Sequence, residues 1–119
     1  MSPRLFRLAF WAATAFATVM ALLAAPPQLG VEVSDKVLHI LAFFTLAVLA
    51  AGAYPRVALI RIGVALGAFG AVIEIAQLIP MLHRTGDVLD WLADIAAVAM
   101  ALILVGLWRN RTDAAAEQP

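Results

Sequence analysis

The sequence predicts an all-α integral membrane protein, a compact bundle of four transmembrane helices with both termini in the cytoplasm. Three observations carry this. Of 119 residues, 65% are hydrophobic and only 13% charged, whereas soluble domains carry about 25% charged residues. The apolar residues fall into four runs, each near the ~20 residues a helix needs to cross ~30 Å of hydrocarbon. Lysines and arginines are split six to two between the two sides those runs define.

The first run, Leu5 to Ala25, is flanked by Arg4 and Arg7 and closed by Pro26-Pro27. It is longer than the ~7–15-residue core of a secretory signal peptide, so it reads as a retained helix. The second, Val37 to Ala53, ends at Tyr54-Pro55, and the third, Val57 to Ile79, carries Arg61 near its start and Glu74 and Gln77 near its end. The fourth, Val88 to Trp108, takes Asp90 and Asp94 into its first two turns. Helices are the form expected, because lipid offers no partner to unpaired backbone groups and the runs lack the alternation of barrel strands. Residues 1–109 thus make a single four-helix domain. The polar, alanine-rich segment from Asn110 to Pro119 is expected to be a disordered cytoplasmic tail.

Orientation follows from the positive charges. Arg4, Arg7, Arg56, Arg61, Arg109 and Arg111 share one side and Lys36 and Arg84 the other, which assigns the first side to the cytoplasm. Trp11 and Trp108 then fall near the cytoplasmic boundary and Trp91 near the outer one, as interfacial aromatics do.

The remaining polar groups collect at the extracytoplasmic end. Asp35, Lys36 and His39 open the second helix, Glu74 and Gln77 close the third, His83, Arg84 and Asp87 lie in the outer loop, and Asp90 and Asp94 enter the fourth helix. At 1.5 Å per residue, Glu74 and Asp94 lie at matched depth, roughly 8–9 Å below the outer boundary. Gly63, Gly67, Gly70, Glu74 and Gln77 follow steps of four and three along one helical stripe, as do Asp87, Asp90, Asp94, Ala97 and Ala101. Small residues mark close helix contacts, so both acidic stripes face the bundle interior, and His39 with Ala42 or Phe43 gives the second helix a matching face. A small outward-opening polar pocket is expected there.

Charged groups in a membrane helix cost about 2.5–3.5 kcal/mol at its centre on insertion scales. Five carboxyls (Asp35, Glu74, Asp87, Asp90, Asp94) face two cations (Lys36, Arg84), so protonation or a bound cation must offset the excess. Several roles are open for these residues. Glu74 and Gln77 serve either as interhelical hydrogen-bonding groups or in a ligand site. Asp90 and Asp94 face the same choice, and Asp87 is also placed to cap the fourth helix. His39 is a structural partner of Asp35 or Glu74, an acid or base, or a metal ligand. Arg84 is suited to a phosphate or to a salt bridge with Asp87, and Asp35-Lys36 to an interfacial pair. A divalent cation is the candidate cofactor, since hard cations take carboxylate oxygens. The absence of cysteine excludes disulfides, zinc thiolates and cysteine nucleophiles, and no phosphate loop, nucleophile elbow, zinc signature or nucleic-acid-binding pattern appears.

Asp35-Lys36-x-x-His39-x-x-x-Phe43, then Glu74-x-x-Gln77, then Arg84-x-x-Asp87-x-x-Asp90-x-x-x-Asp94 are similar, in order and on the expected helices, to the motifs of the VanZ-like family. The match runs from about Ser34 to Ala101. Asp94 stands where that pattern has asparagine, and Ala97 and Ala101 where glycine is usual. The resemblance implies a protein of the bacterial cytoplasmic membrane concerned with the cell envelope, the namesake being associated with low-level resistance to the glycopeptide teicoplanin. The expected function is binding of a lipid-linked or cell-wall-related ligand or partner in the outward acidic and histidine pocket. The alternative is a metal-assisted enzyme acting on a lipid or polyprenyl phosphate headgroup. Expected partners are membrane lipids and a lipid-linked cell-wall precursor, with no nucleic acid, and a unit this small is a candidate for self-association.

Overall fold

The computed structural model describes residues 1–23, 35–79 and 88–118. Four α-helices follow in chain order: α1 (Pro3–Leu22), α2 (Asp35–Ala53), α3 (Leu59–Ala76) and α4 (Val88–Ala116). All four are long and apolar enough to cross a membrane. Their outward surfaces carry large apolar side chains such as Leu8, Phe16, Val64, Val72 and Ile103. Such surfaces suit lipid, whereas in water so much exposed apolar area invites association.

Three helix boundaries have a visible local cause. Ser2 caps α1, its hydroxyl accepting from the Leu5 N–H at 3.4 Å, with Pro3 at the first helical position. Within α1 the Thr14 and Thr18 hydroxyls donate to the carbonyls of Phe10 and Thr14, both at 2.8 Å, which keeps them satisfied on an apolar helix. Pro55 cannot continue α2, and a tight turn in which the Val57 N–H reaches the Tyr54 carbonyl at 3.0 Å leads into α3. At the far end of α3, the Gln77 N–H closes on the Ile73 carbonyl at 2.9 Å.

Contacts between helix ends define the topology. Arg7, at the start of α1, donates from Nε to the Ala53 carbonyl at the end of α2 (3.0 Å), so these helices run antiparallel. Arg109, late in α4, donates to the Ala51 carbonyl (2.8 Å), so α4 runs parallel to α2. Gln77, just past α3, donates to the Ala21 carbonyl at the end of α1 (3.0 Å), which makes α1 and α3 parallel. The chain therefore runs up, down, up, down. One end gathers the start of α1, the end of α2, the start of α3 and the later part of α4. The opposite, polar end gathers the rest.

α2 is the central helix and packs most extensively on α4 and α1. Its buried face is Phe43, Leu46, Ala47, Ala50, Ala51 and Ala53, met by Ile62 and Leu66 of α3 and by Ala97, Val98, Ala101 and Leu102 of α4. Alanine and glycine let the backbones approach, which substitutes for the hydrophobic drive that lipid does not supply. Gly52 is the tightest case, since a Cβ there would lie 2.6 Å from the Phe6 ring of α1.

Helix bounds differ from the sequence expectation in four places. α1 spans Pro3–Leu22 rather than 5–25, and α2 begins at Asp35 rather than 37. α3 spans Leu59–Ala76 rather than 57–79, because the chain turns at Gln77-Leu78 before the apolar run ends. The largest correction concerns the tail: residues 110–116, expected to be disordered, continue α4 as exposed helix to Ala116. An existing helix propagates at low cost through Ala114, Ala115 and Ala116, and the Thr112 hydroxyl bonds back to the Arg109 carbonyl at 2.8 Å.

Arg7 and Arg109 give α2 a cationic cap where its carbonyls lack helical partners, and Arg7 also lies over the Tyr54 ring, 5.1 Å from its centroid. Replacing both arginines by glutamine is expected to lower stability in detergent by about 1–3 kcal/mol, the range of charge-assisted hydrogen bonds. Thermal unfolding followed by circular dichroism measures it, and an unchanged midpoint would show that the two contacts contribute nothing.

Candidate functional site

At the polar end, three helices each contribute one ionisable side chain to a common point. His39 lies one turn into α2, Glu74 two residues before the end of α3, and Asp94 six residues after the start of α4. His39 Nδ1 is 3.3 Å from Asp94 Oδ1 and 3.9 Å from Glu74 Oε1, and one donor atom from each residue lies within 4.8 Å of the others.

The packing stripes explain why the three meet. Gly63 of α3 faces Leu102 of α4, and Gly67 faces Ile95. Gly70 sits where a Cβ would be 3.3 Å from Phe43 of α2 and 3.4 Å from Trp91 of α4. Glu74 follows Gly70 by one turn and Asp94 precedes Ala97 and Ala101 on the same face of α4, so each carboxyl continues a face already committed to helix contact. Glu74 is 8% exposed and Asp94 1%. Neither Asp94 oxygen accepts a hydrogen bond from any described residue.

The other expected site residues are distributed around this point. Lys36 and Asp90 each lie one helical turn nearer the helix starts, with Nζ 3.9 Å from Oδ1 and Lys36 half exposed. A pair of this kind is worth about 0–1 kcal/mol. Gln77 is buried but turned to α1, where its amide bonds the Ala21 carbonyl and ties α3 to α1. Asp35 begins α2, and its side chain, like Arg84, Asp87 and His83, lies outside the described residues.

Trp91 has a role the sequence did not disclose. Beyond the boundary position expected for it, it makes a helix contact, its indole N–H donating to the Gly67 carbonyl at 3.0 Å and locking α4 against α3. Its position three residues before Asp94 puts it on the same face, which was the available signal. Trp11 and Trp108 are exposed at the opposite end, and the Trp11 indole donates to the Tyr54 hydroxyl at 2.9 Å.

Chemically, an imidazole and two carboxyls buried between helices can share a proton or hold a cation. Two buried carboxylates require one or the other, because uncompensated charge in a poorly solvated interior is strongly destabilising.

No family model matches the chain, and no curated protein or solved structure is significantly similar to it.

Proposed function

We propose that the chain is a VanZ-like envelope protein of the bacterial cytoplasmic membrane that binds a lipid-linked, cell-wall-related ligand at its polar end. Both termini lie in the cytoplasm and the polar end faces outward, the arrangement that the six-to-two division of lysine and arginine favours. The observation carrying the reading is the meeting of His39, Glu74 and Asp94 from three helices, with Lys36 and Asp90 one turn nearer the surface. Intramembrane ionisable residues that face a bundle interior mark ligand or ion sites. Lys36, half exposed, supplies a cation at headgroup level for a phosphate. Altered susceptibility to teicoplanin is the phenotype that the family resemblance attaches to such a protein.

Native mass spectrometry of the protein mixed with a polyprenyl phosphate tests this. The wild type is expected to retain the lipid, and Lys36→Ala and Asp90→Asn to retain at least fivefold less. Equal retention by all three would refute the reading. Sidedness is measured separately with single introduced cysteines, for which the cysteine-free chain gives no background: position 114 is expected to label from the cytoplasm and position 36 from outside.

The compactness of the triad favours a second reading, a metal-assisted enzyme acting on a lipid or polyprenyl phosphate headgroup. Conversion of labelled polyprenyl phosphate by the purified protein would distinguish it from binding alone.

A further inference from the structure

We propose that His39, Glu74 and Asp94 are the three protein ligands of a single divalent transition-metal ion, zinc fitting best, with an open coordination position for a phosphate oxygen. The inference deepens the function proposed above and shares its site, but metal content is measured without any lipid, so the two can fail separately.

Three independent features point to a metal. The first is geometry. Donor atoms in a tetrahedral zinc site, with bonds of about 2.1 Å, lie about 3.4 Å apart. The separations here are 3.3 Å for His39 Nδ1 to Asp94 Oδ1 and 3.9 Å for His39 Nδ1 to Glu74 Oε1, with the whole set inside 4.8 Å. Binding an ion requires only a contraction of this set, since side chains from α2, α3 and α4 already converge to within 4.8 Å.

The second feature is Asp94. Its carboxylate is 1% exposed, and neither oxygen accepts a hydrogen bond from a described residue. A carboxylate buried this way usually gains compensation from hydrogen bonds, a counter-charge or a metal. Among the described residues, Lys36 pairs instead with Asp90, at 3.9 Å, Arg7 and Arg109 bond α2 carbonyls at the opposite end, and the His39 imidazole 3.3 Å away compensates Asp94 only when protonated.

The third is charge and donor type. Two carboxylates and a neutral imidazole carry two negative charges, which one divalent ion cancels. Imidazole selects zinc and its neighbours over magnesium and calcium. Three protein ligands are also the number found where zinc keeps a position for water or substrate. A phosphate oxygen entering from the Lys36–Asp90 side would find the metal below and the Lys36 ammonium beside it. That accounts for an anionic headgroup at a cluster of acidic residues.

The test uses full-length protein carrying a histidine-free affinity tag, extracted in mild detergent and exposed to zinc. Elemental analysis is expected to find one zinc per chain in the wild type and at least tenfold less in Asp94→Asn and Glu74→Gln, with helical content by circular dichroism confirming that the variants are folded. Adding zinc to chelator-stripped wild type is expected to raise the unfolding midpoint by about 5 °C or more, because an ion that binds only the folded state stabilises it. Asp90→Asn is expected to keep the zinc while losing the polyprenyl phosphate. Folded wild type without zinc, or zinc retained undiminished by Asp94→Asn, would overturn the assignment, as would loss of zinc from Asp90→Asn to the same extent as from Asp94→Asn. Zinc bound with no polyprenyl phosphate would leave the metal centre standing and remove the lipid reading.

Discussion

Replacing His39 by leucine is expected to cost about 3–5 kcal/mol of stability, the range for removing one partner from a buried charged cluster. The imidazole sits 3.3 Å from one carboxyl and 3.9 Å from another, and leucine would leave the two acids facing each other across an apolar wall. Measured in chelator, this cost belongs to the side chains and not to a bound ion. The double variant His39→Leu/Asp94→Leu is expected to recover at least half of it, because one acidic group then remains rather than two, and replacing buried polar clusters by apolar residues is often neutral or stabilising. A double variant as unstable as the sum of its two single changes would show that the residues are not energetically coupled.

Changing Gly70 to leucine is expected to be the most damaging packing substitution on α3, at about 1–3 kcal/mol or more. Its Cβ alone would touch Phe43 of α2 at 3.3 Å and Trp91 of α4 at 3.4 Å, so a larger side chain must separate three helices at once. Gly67→Ala, three residues earlier on the same stripe, has its nearest neighbour at 4.0 Å and is expected to be neutral within about 0.5 kcal/mol. The contrast is measured by thermal unfolding in detergent. Equal effects at the two positions would mean that the stripe does not make the close contacts described.

Much of this architecture was legible in the sequence because apolar runs of membrane-spanning length leave the backbone few choices. Apolar length alone gives four helices long enough to cross a bilayer, and the steps of four and three from Gly63 to Glu74 identify the face of α3 that meets α4. Depth counting put Glu74 and Asp94 near the same end, and their side chains do converge with His39. What was missed depends on neighbours that a sequence does not display. Trp91 was given a depth without a rotation, so its bond to the Gly67 carbonyl was not foreseen. Arg7 and Arg109 read as topology charges, and only the proximity of the α2 terminus turns them into hydrogen-bond donors to Ala53 and Ala51. Gln77 shares a stripe with Glu74, yet the turn that ends α3 swings it to α1. The tail was misjudged because polar composition signals disorder for an isolated segment, whereas Asn110 to Ala116 inherit a helix already nucleated by twenty-two preceding residues.

That inherited segment has a mechanical consequence. α4 is one uninterrupted rod from Val88 to Ala116, so about 33 Å of stiff helix separates Asp94 from its last residue. If Asp94 takes up and releases the ion proposed above, any tilt or twist of α4 that follows is transmitted to the far tip without a hinge to absorb it. The exposed seven-residue stub would then work as a pointer, and a spin label or fluorophore fixed there would read occupancy from the opposite end of the bundle.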